Sequence, residues 1–462
     1  MTSTTTLILA DGIRIVVPDS LDRITPYVLR EQQDWFEDEI RFARRLLMPG
    51  DRVIDIGANY GVYALSMARA VGPSGCVWAF EPASATANLL AQSIAINGLA
   101  QVVLDRSAVS AKAGSARLSL NENSELNALV TGESPSGASE TVPAVTLDDC
   151  IERHRWRDIG FIKMDAEGEE ANILKGGGRF FSEMSPLVQY EVRAGTDLQL
   201  RLVREFSALG YDSYRLVPGL EILVAFDPES PADGYLLNLF CCKRDRAERL
   251  AARGVLVASA GGLDNVPEVA NHGAYDWRHT IAELPYGAQL AGRWESTVAQ
   301  GNSAEVEAAL SRYAASRDPS LPAALRLGEL EASFNLLKVL CEREPSGLRL
   351  ASLARVARDY GARSLAVDAL QQICNALLRH GRVDTGEPFL APGARFDSIP
   401  PGPVIDNWVL AAVLEESERL GSFSSFYTGA AARQRLEIIR TLGFGSAEME
   451  RRLRLVRERF GT

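Results

Sequence analysis

Five short, almost wholly apolar runs in the first half of the chain constrain its fold most: RVIDIG (52–57), CVWAFE (76–81), QVVLD (101–105), FIKMD (161–165) and LVQYEV (187–192). Each reads as a strand closing on a turn. Helical spacing appears between or after them, over Val62–Val71, Ala83–Asn97, Leu147–His154, part of Glu169–Phe181 and Leu198–Leu209. A strand apolar along its whole length must be covered on both faces, the condition of a parallel sheet between helical layers. The fold class is therefore α/β with a mostly parallel sheet. An apolar/polar alternation around Ala116–Leu120 suggests an added antiparallel strand, and Leu236–Cys242 reads as the last strand.

Ahead of this block, TTLILADGIRIVV (5–17) reads as a hairpin turning at Asp11-Gly12, and 31–47 as one helix stopped by Pro49-Gly50. Residues 131–140 (TGESPSGASE) read as a polar loop. After about residue 245 the strand pattern stops. A mixed connector with Gly261-Gly262 and Pro267 spans 246–284. Helical patterns follow at about 286–300, 303–316, 321–343, 348–360, 362–380, 403–420, 428–442 and 446–460, with a Pro- and Gly-rich loop at 382–402. The paired helices over 303–380 have TPR-like lengths, yet no residue signature repeats. The organisation expected is an α/β domain at 1–245, a connector at 246–284 and an all-helical domain of unassigned role at 285–462.

A chain of 462 residues has room for such a division, and 46% hydrophobic with 24% charged residues excludes disordered and fibrous classes. No run of about 18 apolar residues suggests a membrane span, and MTSTTTLILADG lacks the basic start of a signal peptide. The net charge of −11 is uneven: residues 1–250 carry 25 Lys+Arg against 35 Asp+Glu, the remainder 24 against 25. An acidic half repels a phosphate backbone, so nucleic acid is not the expected partner. The six cysteines (Cys76, Cys150, Cys241, Cys242, Cys341, Cys374) form no metal-ligand spacing and read as reduced thiols, which suits a cytoplasmic location. Only five of the 49 basic residues are lysine, the usage of a GC-rich bacterial genome.

The first strand enters a turn, Asp55-Ile-Gly57-Ala-Asn59-Tyr-Gly61, that opens a helix; its glycines suggest a backbone approached by a ligand. Glu81 ends the next strand, 26 residues beyond Asp55, where a carboxylate can accept from both hydroxyls of a ribose. A dinucleotide would bring its pyrophosphate to a G-x-G-x-x-G turn. This chain lacks that spacing, and Asp55 beside the turn opposes a phosphate. The carboxylate suits a nucleoside carrying an ammonium and a sulfonium, which points to S-adenosylmethionine, whose own carboxylate can face the helix N-terminus.

Taken together, VIDIGANYGVYAL (53–65), AFEP (79–82), AINGLA (95–100), TLDD (146–149) and IKMDAEGEEANILKGG (162–177) resemble the FkbM-type methyltransferase family over about residues 45–195. The resemblance implies a Rossmann-like methyltransferase fold with a terminal antiparallel strand, and S-adenosylmethionine as methyl donor. It also implies O-methylation of sugars or polyketide-like hydroxyls, as in bacterial polysaccharide or secondary metabolism. It places Asp55, Gly57, Asn59 and Gly61 on the cofactor loop and Glu81 at the ribose. The exit of the third strand, Asp105 to Ala108 with Ser107 between, falls where such folds meet the adenine. The family pattern carries a histidine shortly after the position of Glu191, where this chain has Arg193.

Lys163 is unusual in a buried central strand, because an unpaired buried ammonium is costly. Asp165, Glu167 and Glu191 are its candidate partners, and Lys163, Asp165 and Glu191 form the candidate catalytic set, with Asp165 or Glu191 as base. A plain ion pair holding two strands in register is the alternative. Of the four histidines, His154 (in RHRW) reads as part of a solvated helix end, and none suggests a metal ligand. The expected activity is methyl transfer to a small-molecule or glycan hydroxyl; an NAD(P)-dependent oxidoreductase on the same fold and a non-catalytic scaffold that only binds the cofactor are the other readings. The helical half is the expected surface for self-association or a protein partner.

Overall fold

The computed structural model of the protein describes residues 3–130, 137–194, 197–198, 200–258, 272–299 and 303–461. The chain divides into two compact units, one of Met1–Leu216, Leu223–Ala232 and Leu236–Val255, the other of Val217–Ile222, Asp233–Tyr235 and Leu256–Thr462.

In the first unit β1 (Thr4–Ile8) and β2 (Arg14–Pro18) form the expected hairpin, a small sheet of its own. Where the sequence suggested one helix over 31–47 there are two, α1 (Ile24–Gln32) and α2 (Asp38–Leu46). Gln33 adopts the left-handed conformation (φ 60°) that closes α1. Asp34 then turns both carboxylate oxygens to the Arg44 guanidinium, at 2.7 Å each, leaving 34–37 as an irregular link.

The strand–helix alternation follows as expected: β3 (Arg52–Ile56), α3 (Val62–Val71), β4 (Cys76–Phe80), α4 (Ser84–Asn97) and β5 (Val102–Asp105). Next, β6 (Ala108–Val109), β7 (Gly114–Ser119) and β8 (Ser139–Val145) make a separate three-stranded sheet in the order β6-β8-β7. The antiparallel strand expected near 116–120 is β7. Strand β8 escaped notice because its start falls in the polar stretch read as a loop; 131–136 of that stretch lie outside the described residues. The unit continues with α5 (Leu147–His154), β9 (Phe161–Met164), α6 (Glu170–Lys175), α7 (Gly178–Glu183) and β10 (Leu187–Glu191). After a short hairpin, β11 (Arg193–Ala194) and β12 (Asp197–Leu198), come α8 (Arg201–Ala208), β13 (Asp212–Val217), β14 (Ile222–Ala225), β15 (Asn238–Cys242) and α9 (Arg244–Ala252). Helix α9, and the two-residue strand β16 (Leu256–Val257) after it, occupy the start of the stretch read as a connector. Gly261-Gly262 and Pro267 lie outside the described residues.

From β14 to β5 the large sheet runs β14-β13-β15-β10-β9-β3-β4-β5. Strands β10, β9, β3, β4 and β5 are parallel, and β15 runs against both β10 and β13. This is a Rossmann-like sheet with an antiparallel flank. Chain order reverses between β3 and β9, which opens a crevice beyond their carboxyl ends. In register, Asp55 stands beside Lys163 and Lys163 beside Gln189, so the three share one face. The opposite face carries Ile56, Phe80, Met164 and Tyr190 into an apolar core with Phe180, Phe181 and Phe206.

The second unit is helical: α10 (Trp277–Thr280), α11 (Pro285–Val298), α12 (Ala304–Ser316), α13 (Ala323–Arg343), α14 (Gly347–Tyr360), α15 (Arg363–His380), α16 (Ile405–Leu420), α17 (Ser425–Thr428), α18 (Ala432–Thr441) and α19 (Ala447–Phe460). Helices α12 to α16 pack each on the next. The loop at 382–402 is no solvated spacer: Phe389, Leu390 and Ala391 are buried, and the Phe389 ring lies 5.2 Å from Tyr286 and 5.9 Å from Trp294. A buried Arg355 bonds Tyr313, Asp397 and the Ala391 carbonyl, leaving its charge compensated. Among the described residues no helix is long and apolar enough to cross a membrane, and the six cysteines are free thiols.

Gly57 carries the tightest backbone approach at the switch point. At φ +77° a Cβ there would stand 1.8 Å from the Asp165 carbonyl oxygen. Gly98, at φ +64°, has nothing within 4 Å of a Cβ. Both Gly57→Ala and Gly98→Ala incur the left-handed penalty of about 1 kcal/mol. Gly57→Ala alone adds a clash with backbone, for a total of about 3 kcal/mol or more. Urea unfolding of the two variants measures this difference, and equal losses would show that β3 and β9 separate freely.

Candidate active site

Beyond β3 the chain folds tightly onto its neighbours. Both Gly57 and Ala58 donate to the Phe80 carbonyl, at 3.1 and 3.0 Å. Asn59 is left-handed (φ 49°), a conformation its short polar side chain tolerates, and Gly61 (φ 95°) begins α3. The glycines serve protein packing as much as any ligand: a Cβ on Gly61 would meet the Leu90 side chain at 2.4 Å. Glu81, 7% exposed, holds this turn from the next strand, accepting the Asn59 N–H on Oε2 (2.9 Å) and the Ala83 N–H on Oε1 (2.8 Å). Burial pushes its pKa up to about 7, although both backbone bonds oppose the rise.

Asp55 is fully buried on the same face as Lys163, and neither carboxylate oxygen meets a donor in full hydrogen-bond geometry. Its pKa is pushed up to about 6, first by burial; the Lys163 charge and the Ala64 N–H hold it down, while Asp165 raises it. Lys163, 5% exposed, donates to Asp165 Oδ2 at 2.8 Å and lies 4.8 Å from the centre of the Tyr63 ring. Burial works against its ammonium, but the charges of Asp165, Asp55 and Glu37 hold its pKa above the usual lysine value.

Asp165, Glu167 and Glu191 offer carboxylate oxygens within 4.8 Å of one another. The structure thus brings the three candidate catalytic residues, Lys163, Asp165 and Glu191, to one place. Burial raises Glu191 to about 9, with the charges of Asp165, Glu167, Glu170 and Glu37 adding to it. Burial likewise raises Glu167 to about 8. The loop after β9 supports this geometry: Glu167 is left-handed (φ 47°), and Glu170 accepts the Ala166 N–H at 2.8 Å. Such a three-carboxylate arrangement can hold a divalent cation, a possibility that the histidine survey of the sequence does not address.

Three further side chains join the site without having been singled out in the sequence. Gln189 Nε2 donates to the Tyr63 hydroxyl at 3.1 Å, and that hydroxyl donates to Glu37 Oε2 at 2.7 Å. Burial pushes Glu37 up. Gln189 had a legible signal, a polar residue inside the apolar LVQYEV strand. Glu37 had none, because 31–47 read as an unbroken helix.

The side chains at the strand exit expected at the adenine meet other groups of the chain. Asp105, Ser107 and Ala108 are buried. The Asp105 side chain shares the Phe80 face, opposite Asp55 and Lys163. Its Oδ2 lies 3.1 Å from His154 Nε2 and 3.3 Å from Arg153, and its Oδ1 accepts the Ser107 N–H at 3.1 Å. Ala108 pairs with Ala144 and packs on Ala83, Leu118 and Val142. The Asp105 carbonyl accepts the Glu81 N–H at 3.0 Å. His154 is not a solvated helix end. Its side chain is 12% exposed, stacked 5.4 Å from Trp156, and burial lowers its pKa.

Residues 55–213 match the sequence profile described as the methyltransferase FkbM domain. Over these residues the chain is similar to the FkbM methyltransferase family. Around it the chain carries the N-terminal hairpin and helices and the helical second unit, outside the match. No curated protein matches the sequence. Among solved structures, the chain is similar to methyltransferase FkbM from Methylobacillus flagellatus, at 17% identity over 42% of this chain and 43% of that one, with a TM-score of 0.29. It is also similar to an S-adenosylmethionine-dependent O-methyltransferase from Thermotoga maritima (15% identity, 52% and 77% covered, TM-score 0.25). A third is an rRNA methylase from Streptococcus thermophilus (11% identity, 44% and 93% covered, TM-score 0.25). The chain thus spans less than half of the FkbM structure, and at these scores the neighbours carry no argument about what the matched region here binds or modifies.

The raised carboxylates of the matched region tie its stability to pH. Asp55, Glu81, Glu167 and Glu191 bind protons more tightly folded than unfolded, so the stability they contribute is complete below their ordinary values near 4 and is lost as pH rises through about 6 to 9. The urea midpoint of the free protein is expected to fall between pH 5.5 and 9. Glu191→Gln should flatten that fall at its alkaline end; an unchanged slope would show Glu191 solvated. Lys163→Met leaves buried carboxylate charge uncompensated and should cost about 3–5 kcal/mol at neutral pH, less at pH 5.5 where Asp55 takes up a proton.

Proposed function

We propose that the domain is an S-adenosylmethionine-dependent O-methyltransferase acting on a hydroxyl of a sugar, glycan or secondary metabolite. One observation carries this reading: a buried cation, Lys163, shares the switch point with an excess of carboxylates, in a cradle that suits a ligand with two positive groups. The residues fit that donor. Glu81 accepts one backbone N–H on each oxygen and keeps lone pairs for two ribose hydroxyls. The N-terminus of α3 suits the donor's carboxylate. Asp55 is too deeply buried for direct contact and acts through its charge. When bound, the donor supplies an electrophilic methyl group; the chain's own residues align the acceptor, exclude water and take one proton.

Lys163 holds Asp165 by one oxygen, which makes Lys163 a positioning residue. Glu191 or Asp165 takes the acceptor's proton. In the free protein Glu191 binds its proton up to a pH of about 9. A cation bound beside it lowers that value, so the base becomes available as the donor arrives. The acceptor class rests on the family resemblance of the motifs.

Calorimetry in buffers of different ionisation enthalpy should therefore register protons released when S-adenosylmethionine binds near pH 8, and fewer for S-adenosylhomocysteine, which lacks the sulfonium charge. Release that is equal or absent contradicts a cation-binding cradle. Glu81→Ala should weaken binding of both by about 1.5–3 kcal/mol. With a working acceptor and saturating donor, at least one of Asp165→Asn and Glu191→Gln should lower the single-turnover rate by about 10²–10⁴. Full rates in both would leave the cluster an ion pair and nothing more.

A further inference from the structure

Helices α15 and α16 pack against each other, and such neighbours are usually joined by about 2–8 residues. Here residues 381–404 intervene, and 385–391 (TGEPFLA) run through the helical unit outside any helix or strand. Among the described residues no backbone–backbone hydrogen bond holds 382–392. Side chains of two helices meet their polar groups instead. From α11, Trp294 Nε1 donates to the Thr385 carbonyl at 3.1 Å and the Tyr286 hydroxyl to the Phe389 carbonyl at 3.0 Å. From α14, Ser352 Oγ accepts the Leu390 N–H at 2.9 Å, and Arg355 donates to the Ala391 carbonyl at 3.2 Å. Arg349 of α14 grips both Glu387 oxygens, at 2.8 and 2.9 Å. The buried Phe389 ring closes on Tyr286, Trp294 and, at 6.5 Å, Trp408 of α16.

This is the pattern of a ligand in a groove, where bonds to the main chain give affinity and pockets for side chains give specificity. The spacing of the groups agrees with it. Arg349, Ser352 and Arg355 recur every third residue along one side of α14. These three also have partners among the helices themselves. Arg349 donates to Glu344 at 3.1 Å, Ser352 Oγ to the Leu348 carbonyl at 3.1 Å, and Arg355 to Tyr313 at 3.0 Å. Departure of the segment therefore strands none of them, and the groove stays organised for another occupant. At the two ends of the segment Arg382, Asp384, Ala394 and Ser398 are exposed. A stretch latched by side chains, with no backbone ladder, can open locally without global unfolding.

We propose that α11 and α14 form a peptide-recognition groove, filled in the free chain by residues 385–391 as an intrachain ligand. A partner protein presenting the same chemistry, a glutamate followed by proline and an aromatic residue, takes their place. Glu387 sets the register through Arg349, and Phe389 fills the aromatic pocket. The inference stands on the helical unit alone and is independent of the methyl donor.

The probe is a fluorescein-labelled synthetic peptide of residues 383–393, titrated into the full chain and read by anisotropy. The wild-type chain should bind it weakly, since only molecules with the segment displaced offer a groove. Phe389→Ala in the chain empties the aromatic pocket. It should tighten peptide binding about tenfold or more, and the peptide should raise the melting temperature of that variant. A peptide carrying Glu387→Lys or Phe389→Ala should bind the same chain about tenfold worse, and adding Arg349→Ala to the chain should abolish the preference for glutamate. If Phe389→Ala folds poorly, Glu387→Ala serves the same comparison. Folded variants that bind the peptide no tighter than wild type, or that bind native and altered peptides equally, would overturn the groove. Loss of folding in both variants would overturn it as well, because the helices would then have no groove apart from their own segment.

Discussion

The ammonium group of Lys163 is the constraint around which the first unit is organised. Placed in a central strand with Asp55 on the neighbouring strand and Asp165 at its own strand end, it compensates charge that the sheet could not otherwise bury. It does not compensate all of it. Glu167, Glu191, Glu37 and Glu81 crowd the same end of the sheet with raised pKa values. Burial therefore favours the protonated forms of these groups in the free protein. Function and instability share one source here, as strained ionisation often does at reactive sites.

Much of this was legible from residue order. Apolar runs without alternation announced a buried parallel sheet, and the lysine inside FIKMD was conspicuous because it broke the run. The helices of the second unit were equally readable, since their amphipathic period persists over many turns. What escaped were features decided by tertiary context. The break between α1 and α2 depends on Asp34 finding Arg44, a contact that no local signal reports. Strand β8 begins in a polar stretch because its partners form a small side sheet rather than the buried one. The strand exit at Asp105 was assigned to the adenine through the family resemblance, and the pleat, which that resemblance does not report, turns the Asp105 side chain onto Arg153 and His154.

The segments that complete the site come from outside the alternating strands and helices. Glu37 arrives from the link before α2 and Glu125 from the connection between β7 and β8. Each is held by a few side-chain hydrogen bonds rather than by a ladder of backbone ones. Glu37 reaches the sheet through Tyr63 and Gln189, and Glu125 is tied to Thr25 at the start of α1. The strand ends supply the charge, and these attached segments shape the space around it.

The contact between Gly57 and the Asp165 carbonyl has a consequence for how such a site can diversify. With no side chain between the two backbones, the turn after β3 and the acid loop after β9 form one inextensible joint. A larger residue at position 57 has no room unless β3 and β9 move apart. Changes in the shape of the crevice are therefore left to the segments away from this contact, such as the irregular link at 34–37.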